Sequence, residues 1–216
     1  GGATWSPDGT HIAWVDQRAR IHVIDVATGA LVTADTDGTS QNRGGLGLTW
    51  SPDSKWLAYA KEYPNHFHRI VVWSLESGKR AALTNDLADA TSPAWDKGGR
   101  WLYFLASTNL GLASAWANLS NQQARPTYGA YVAVLRAGDP TPFAPQSDDE
   151  PGTPARPSGD SARRGPGGAG AGGRMNGDSA VTVSVDVAGI DRRIVALPVP
   201  VRSYSAIDAG AAGVVF

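Results

Sequence analysis

The sequence predicts an all-β fold of the β-propeller type, and three observations carry the prediction. Trp5-Ser6-Pro7-Asp8-Gly9 returns as Trp50-Ser51-Pro52-Asp53-Ser54 and, in worn form, as Trp95-Asp96-Lys97-Gly98-Gly99, with the leading tryptophans 45 residues apart. A fixed period of about 40–50 residues suits a four-stranded propeller blade. Within each copy Ser-Pro-Asp-Gly is turn chemistry: Pro fixes φ, Asp bonds its own backbone, and Gly takes positive φ cheaply. An apolar run rich in aromatic and branched residues then follows, which is how a strand reads. About four blades' worth of sequence is present, a partial ring with some blades incomplete.

Taken in order, His11 to Val15 and Ile21 to Val26 are strands, closed by the turn Ala27-Thr28-Gly29, and Leu31-Val32-Thr33 starts a third. Asp35 to Gly45 reads as polar, glycine-rich loop. The second unit repeats the pair as Trp56 to Lys61 and Ile70 to Leu75, ending at Glu76-Ser77-Gly78, with Ala82-Leu83-Thr84 mirroring Leu31 to Thr33. Extra residues fall around Tyr63-Pro64-Asn65-His66. The third unit runs Trp101 to Ala106 and then loses alternation between Asn109 and Tyr128, which reads as a long loop or a short helix. Tyr131 to Leu135 supplies its next strand.

Composition shifts at Ala144. Nine glycines and five prolines fall in the 36 residues to Ser179, and Met175 is the one large apolar side chain among them. Such a segment buries too little to offset its ordering entropy. The expected organisation is therefore blades over 1–143, a disordered insertion over 144–179, and a continuation over 180–216. That continuation holds strands at Val181 to Val187 and Arg193 to Pro198, with Tyr204 to Ile207 and Gly213 to Phe216 opening another blade. The chain starts on Gly1-Gly2-Ala3 without Met and stops in a strand-like run, so it reads as an internal piece of a longer protein.

Charge and composition exclude several functions. A net charge of −1 over 216 residues gives no electrostatic basis for binding nucleic acid or an anionic membrane. No run approaches the roughly 20 apolar residues that span a bilayer. With no cysteine there are neither disulfides nor thiolate metal sites, which fits a reducing compartment.

A search for catalytic, cofactor-binding and metal-ligating residues nominates none. No Gly-x-Ser-x-Gly elbow occurs, and Ser6, Ser51, Asp8 and Asp53 sit in tight turns. His66-Phe67-His68 would place two imidazoles on one face of a strand, but no third ligand has supporting spacing, so a loop edge is the better reading. Asp35-Thr36-Asp37-Gly38 starts like a calcium loop. Its twelfth position is Leu46 rather than Glu, and a turn is expected instead. Arg192-Arg193 could face a channel and attract peptide carboxylates, or form a solvated turn. Gly165 to Gly173 lacks the Gly-Lys-Ser/Thr ending of a phosphate loop. The tryptophans, fixed in every repeat, are expected to pack between blades.

Two later stretches narrow the family. Tyr131-Val132-Ala133-Val134-Leu135-Arg136 running into Pro140-Thr141-Pro142-Phe143-Ala144-Pro145-Gln146-Ser147-Asp148-Asp149-Glu150 resembles a tricorn protease segment, as does Val185-Asp186-Val187-Ala188-Gly189-Ile190-Asp191-Arg192-Arg193-Ile194-Val195-Ala196-Leu197-Pro198-Val199-Pro200. The resemblance covers nearly all the chain except roughly 147–179. It implies a segment of the second, seven-bladed propeller of a large cytoplasmic serine peptidase that degrades oligopeptides and assembles as a hexamer. The partners it implies are oligopeptide substrates and the remaining blades, the PDZ-like domain and the catalytic domain of the same polypeptide. The segment would be non-catalytic, gating substrate and channelling peptides. The alternative from another class is a TolB-like propeller serving only as a protein-interaction platform, and a further one is a prolyl-oligopeptidase relative.

Overall fold

The computed structural model describes residues 2–36, 46–109, 126–143 and 181–210. Among them, twelve strands form three four-stranded antiparallel sheets. The first sheet is β1 (Thr4–Trp5), β2 (His11–Val15), β3 (Arg20–Asp25) and β4 (Leu31–Thr36) in that spatial order. The second is β5 (Thr49–Trp50), β6 (Trp56–Glu62), β7 (His68–Ser74) and β8 (Arg80–Ala82). The third is β9 (Asp89–Trp95), β10 (Trp101–Ser107), β11 (Gly129–Val134) and β12 (Ile194–Ala196). Each sheet is a meander in which sequential strands pair, the construction of a propeller blade.

Register explains how the blades stack. Trp50, Leu57, Trp73 and Arg80 stand opposite one another across the second sheet and so share a face. Trp50, Leu57 and Trp73 are buried against Ala13, Ile21 and Val23 of the first sheet. The interface then repeats one blade on: Trp95, Leu102 and Ala133 pack on Ala58, Ile70 and Val72 of the second sheet. Large side chains on the leading face of one blade thus fill the small and branched row on the trailing face of its predecessor. The equivalent leading residue of the first blade, Trp5, is 58% exposed. The trailing face of the third blade, Ala94, Tyr103 and Val132, is covered by Leu197, Ile207 and Ala209 from the end of the described chain.

The repeated turns are held as their chemistry predicts. Ser6 Oγ donates to Asp8 Oδ1 at 2.6 Å and accepts the His11 N–H at 2.9 Å, while Gly9 takes φ +71°. Ser51 and Asp53 repeat the network, with Oγ to Oδ1 at 2.6 Å and the Trp56 N–H on Ser51 Oγ at 2.9 Å. Ser54 occupies the position of Gly9 at φ +62°.

Four expectations need correction. Asp35 and Thr36 belong to β4 rather than to a loop, because the Asp35 side chain is anchored in the next blade. Val181 to Val187 joins no ladder. It is instead an irregular strap across the second and third blades: Val183 N–H donates to Asp53 Oδ2 at 2.8 Å, and Asp186 N–H donates to the Leu135 carbonyl at 2.9 Å. The third-strand run expected at Ala82 to Thr84 lies two residues earlier, at β8, and Leu83 is a buried core residue beyond it. Tyr204 to Ile207 forms no ladder strand among the described residues, so three sheets, not four, are described. The insertion 144–179, most of Asn109 to Tyr128, and Gly213 to Phe216 lie outside the described residues.

Candidate functional site

The first strands of successive sheets lie beside one another, β1 next to β5 and β5 next to β9. They are cross-linked by the repeat itself. Trp50 Nε1–H donates to the Thr4 carbonyl at 3.3 Å, and Trp95 Nε1–H donates to the Thr49 carbonyl at 3.1 Å. Trp50 and Trp95 are each 6% exposed, so their indoles are packing and bonding elements rather than open ligand platforms.

Where these strands enter their turns, a cavity of about 390 Å³ opens between all three blades. Pro7, Pro52 and Lys97 line it from the three equivalent turns, Trp50 and Trp95 from the inner strands, and Asp208 from the end of the described chain. Lys97 occupies the position that proline holds in the other two copies, so the third repeat departs from its pattern where it borders the cavity. The chemistry on offer is a largely apolar wall with one cation, Lys97, and two carboxylates, Asp208 and the buried Asp96. It can hold an extended chain and contains no nucleophile activated by a base.

The other candidates resolve into structural roles. Asp35, 3% exposed, accepts the Tyr59 hydroxyl at 2.7 Å and the Lys61 ammonium at 2.9 and 3.0 Å, and Arg80 Nη1 also donates to it. The cluster joins the outer strand of the first blade to β6 and β8 of the second. Burial, reinforced by Asp35, pushes the Tyr59 phenol up, so it stays a neutral donor. Asp35 read as a turn residue in sequence because its partners lie 24 to 45 residues away. The Asp37 and Gly38 of the supposed calcium loop lie outside the described residues.

His66 and His68 are separated by the fold. His66 sits in a turn at φ +61° with Nδ1 2.9 Å from Glu62 Oε1. His68 opens β7 with Nδ1 2.7 Å from Asp89 Oδ1 of the third blade. Among the described residues no group of three His, Asp or Glu side chains is placed to hold a metal ion. Arg193 serves neither a channel nor a solvated turn: its guanidinium donates to the carbonyls of Val134 at 3.1 Å, Ala188 at 2.9 Å and Asp186, fastening the strap to β11. Asp8 is held ionised by its turn. Partial burial opposes its charge, but hydrogen bonds from Ser6 and Thr10 outweigh that and lower its pKa to about 2.

Fold and site together define a segment of a β-propeller with a largely apolar cavity where its first strands enter their turns. The comparisons make that class specific. The family model for the tricorn protease second beta propeller domain matches residues 2–216, and the chain belongs to that family. Tricorn protease homolog 1 of Streptomyces coelicolor is 27% identical over 224 residues, covering 98% of this chain and 18% of that protein. The crystal structure of the tricorn protease superposes with a TM-score of 0.63 at 16% identity, over 96% of this chain and 18% of that one. The crystal structure of TolB from Acinetobacter baumannii superposes with a TM-score of 0.42 at 16% identity, over 63% of this chain and 37% of that one. The chain thus spans about a fifth of the length of the curated relative it matches. Among the described residues no helix is long and apolar enough to cross a membrane.

Proposed function

We propose that this segment is the non-catalytic, substrate-gating part of a tricorn-like serine peptidase, steering unfolded peptides through the opening beside Lys97. The observation that carries the reading is the family match over residues 2–216, joined to a cavity bordered by the inner ends of all three described blades. A passage bordered by strand edges and turns works by steric selection. An extended peptide fits it and a folded domain does not. Lys97, Asp208 and the buried Asp96 give the lining only a few charges of mixed sign, which favours tolerance of sequence over tight recognition.

The chemistry, hydrolysis of the peptide bond by an activated serine, belongs to another domain of the same polypeptide. The working protein is a cytoplasmic homo-oligomer in which the remaining blades close the ring. Steric selection is tested with one target sequence presented twice to the intact polypeptide, once as a free peptide and once inside a stably folded domain. The gating role predicts hydrolysis of the first and none of the second. Equal rates would remove it.

A further inference from the structure

The inner edge of each blade is a row of main-chain groups with no partner strand among the described residues, since β1, β5 and β9 each terminate their sheet. An edge of this kind captures extended chains by strand addition. All three edges carry a device against that. β1 is two residues long, too short to template a partner, and the second blade's edge is interrupted one 45-residue period before Ser92: Gly47 takes φ +59°, and Ala60 N–H bonds the Leu46 carbonyl beyond it at 2.7 Å. β9 has seven residues and would be the hazard. It is broken at its middle. Tyr103 pairs with Ala94 and Leu105 with Thr91, so Ser92 and Pro93 together oppose Phe104 in a bulge. Ser92 lies in the left-handed region at φ +53°, unusual for a residue other than glycine. Pro93 has no N–H to offer.

The bulge is built into the blade interface. Gly47, at φ +59°, packs against it: a Cβ there would make ordinary contact with Pro93 Cδ at 3.4 Å and Ser92 Cα at 4.0 Å. Thr91 and Ser92 are half-buried while the other five residues of β9 are buried, so the bulge is where this edge is most exposed among the described residues. The irregularity costs ladder hydrogen bonds and backbone strain.

We propose that the Ser92-Pro93 bulge is an anti-capture device. It denies a passing extended peptide a seven-residue edge to pair with, so that peptides move past the inner strands instead of docking as an extra strand. This rests on the gating reading for its biological use, but the edge chemistry can be tested without it.

The experiment uses the intact polypeptide and a fluorescein-labelled twelve-residue peptide of alternating Thr and Val, with binding read by anisotropy and β9 amide protection by hydrogen exchange. Deleting Ser92 together with Pro93→Val regularises the strand and leaves the flanking pairs Tyr103 with Ala94 and Leu105 with Thr91 in register. The regularised protein should bind roughly tenfold tighter, the factor that one regained main-chain hydrogen bond supplies, and β9 amides not bonded to β10 should become protected by peptide. No gain in a folded variant would overturn the proposal. A second measurement needs no variant: saturating peptide should add no protection to the β9 amides that are not bonded to β10, and added protection there would refute the proposal even if the deletion prevented folding. Neither readout involves hydrolysis, so loss of the gating role would leave the capture result intact, and the reverse also holds.

Discussion

Replacing Asp35 with Ala should open the joint between the first two blades, and the cost can be worked from its contacts. The Tyr59 ring is fully buried and its hydroxyl donates to Asp35 at 2.7 Å. Removing the carboxylate strands that donor, at about 1–3 kcal/mol for an unsatisfied buried group. Lys61 and Arg80 behave differently. Their side chains are 22% and 49% exposed and can turn to water, so each forfeits only a surface-pair contribution, roughly 0–1 kcal/mol. The total is about 1–5 kcal/mol, most of it from the stranded hydroxyl, against roughly 3–5 kcal/mol for breaking a fully enclosed ion pair. Hydrogen exchange of amides in β4 and β6 of the intact polypeptide reads the local opening. Protection there should fall by about 5-fold to roughly 5,000-fold, with β10 and β11 unaffected. Tyr59→Phe, which removes the donor along with its need, should cost about 1 kcal/mol. The double variant should be milder than the two costs summed, because no hydroxyl is left stranded. Exchange changed less than threefold by Asp35→Ala, or strict additivity in the double variant, would refute this reasoning.

Two further outcomes follow from single contacts. Gly99→Ala places a residue at φ +70° with its Cβ 2.6 Å from Val183 Cγ2 and 3.0 Å from Val181 Cγ1, so the strap over 181–187 must lift. A cost of about 1–3 kcal/mol is expected, and limited proteolysis within the strap should accelerate; an unchanged cleavage rate would speak against it. Asp8 has a folded pKa lowered from 3.8 to about 2, so its contribution is present above pH 3.8 and disappears as pH falls through about 2. Thermal stability should therefore decline across that window and decline less in Asp8→Asn. A variant with the same acid profile as the native protein would contradict the role of the turn network.

The blade repeat was legible in the sequence because its determinants are local. Ser6, Asp8 and Gly9 bond within one turn, and the alternation of Trp56 to Lys61 states its faces directly. The family was legible from the two stretches around Tyr131 and Val185. What escaped reading depends on distant partners. Asp35 looks like turn polarity until Tyr59, Lys61 and Arg80 are brought to it. Val181 to Val187 alternates like a strand, yet finds its bonds with Asp53 and Leu135 one at a time, not along a neighbour. β9 was invisible because Ser92-Pro93 erases the period on which a strand is recognised. The cavity had one sequence signal, Lys97 in place of the repeat's proline, and nothing local marks that exchange as bordering an opening.

The gating account is tested most directly at Lys97. The chain has no native cysteine, so Lys97→Cys gives these residues a single thiol at the rim of the cavity that accepts a bulky maleimide. Hydrolysis of a twenty-residue unfolded peptide and of a dipeptide analogue would be compared before and after labelling of the intact polypeptide. The account predicts a large fall in the rate for the long peptide with the dipeptide rate little changed. Undiminished hydrolysis of the long peptide by the fully labelled protein would contradict it.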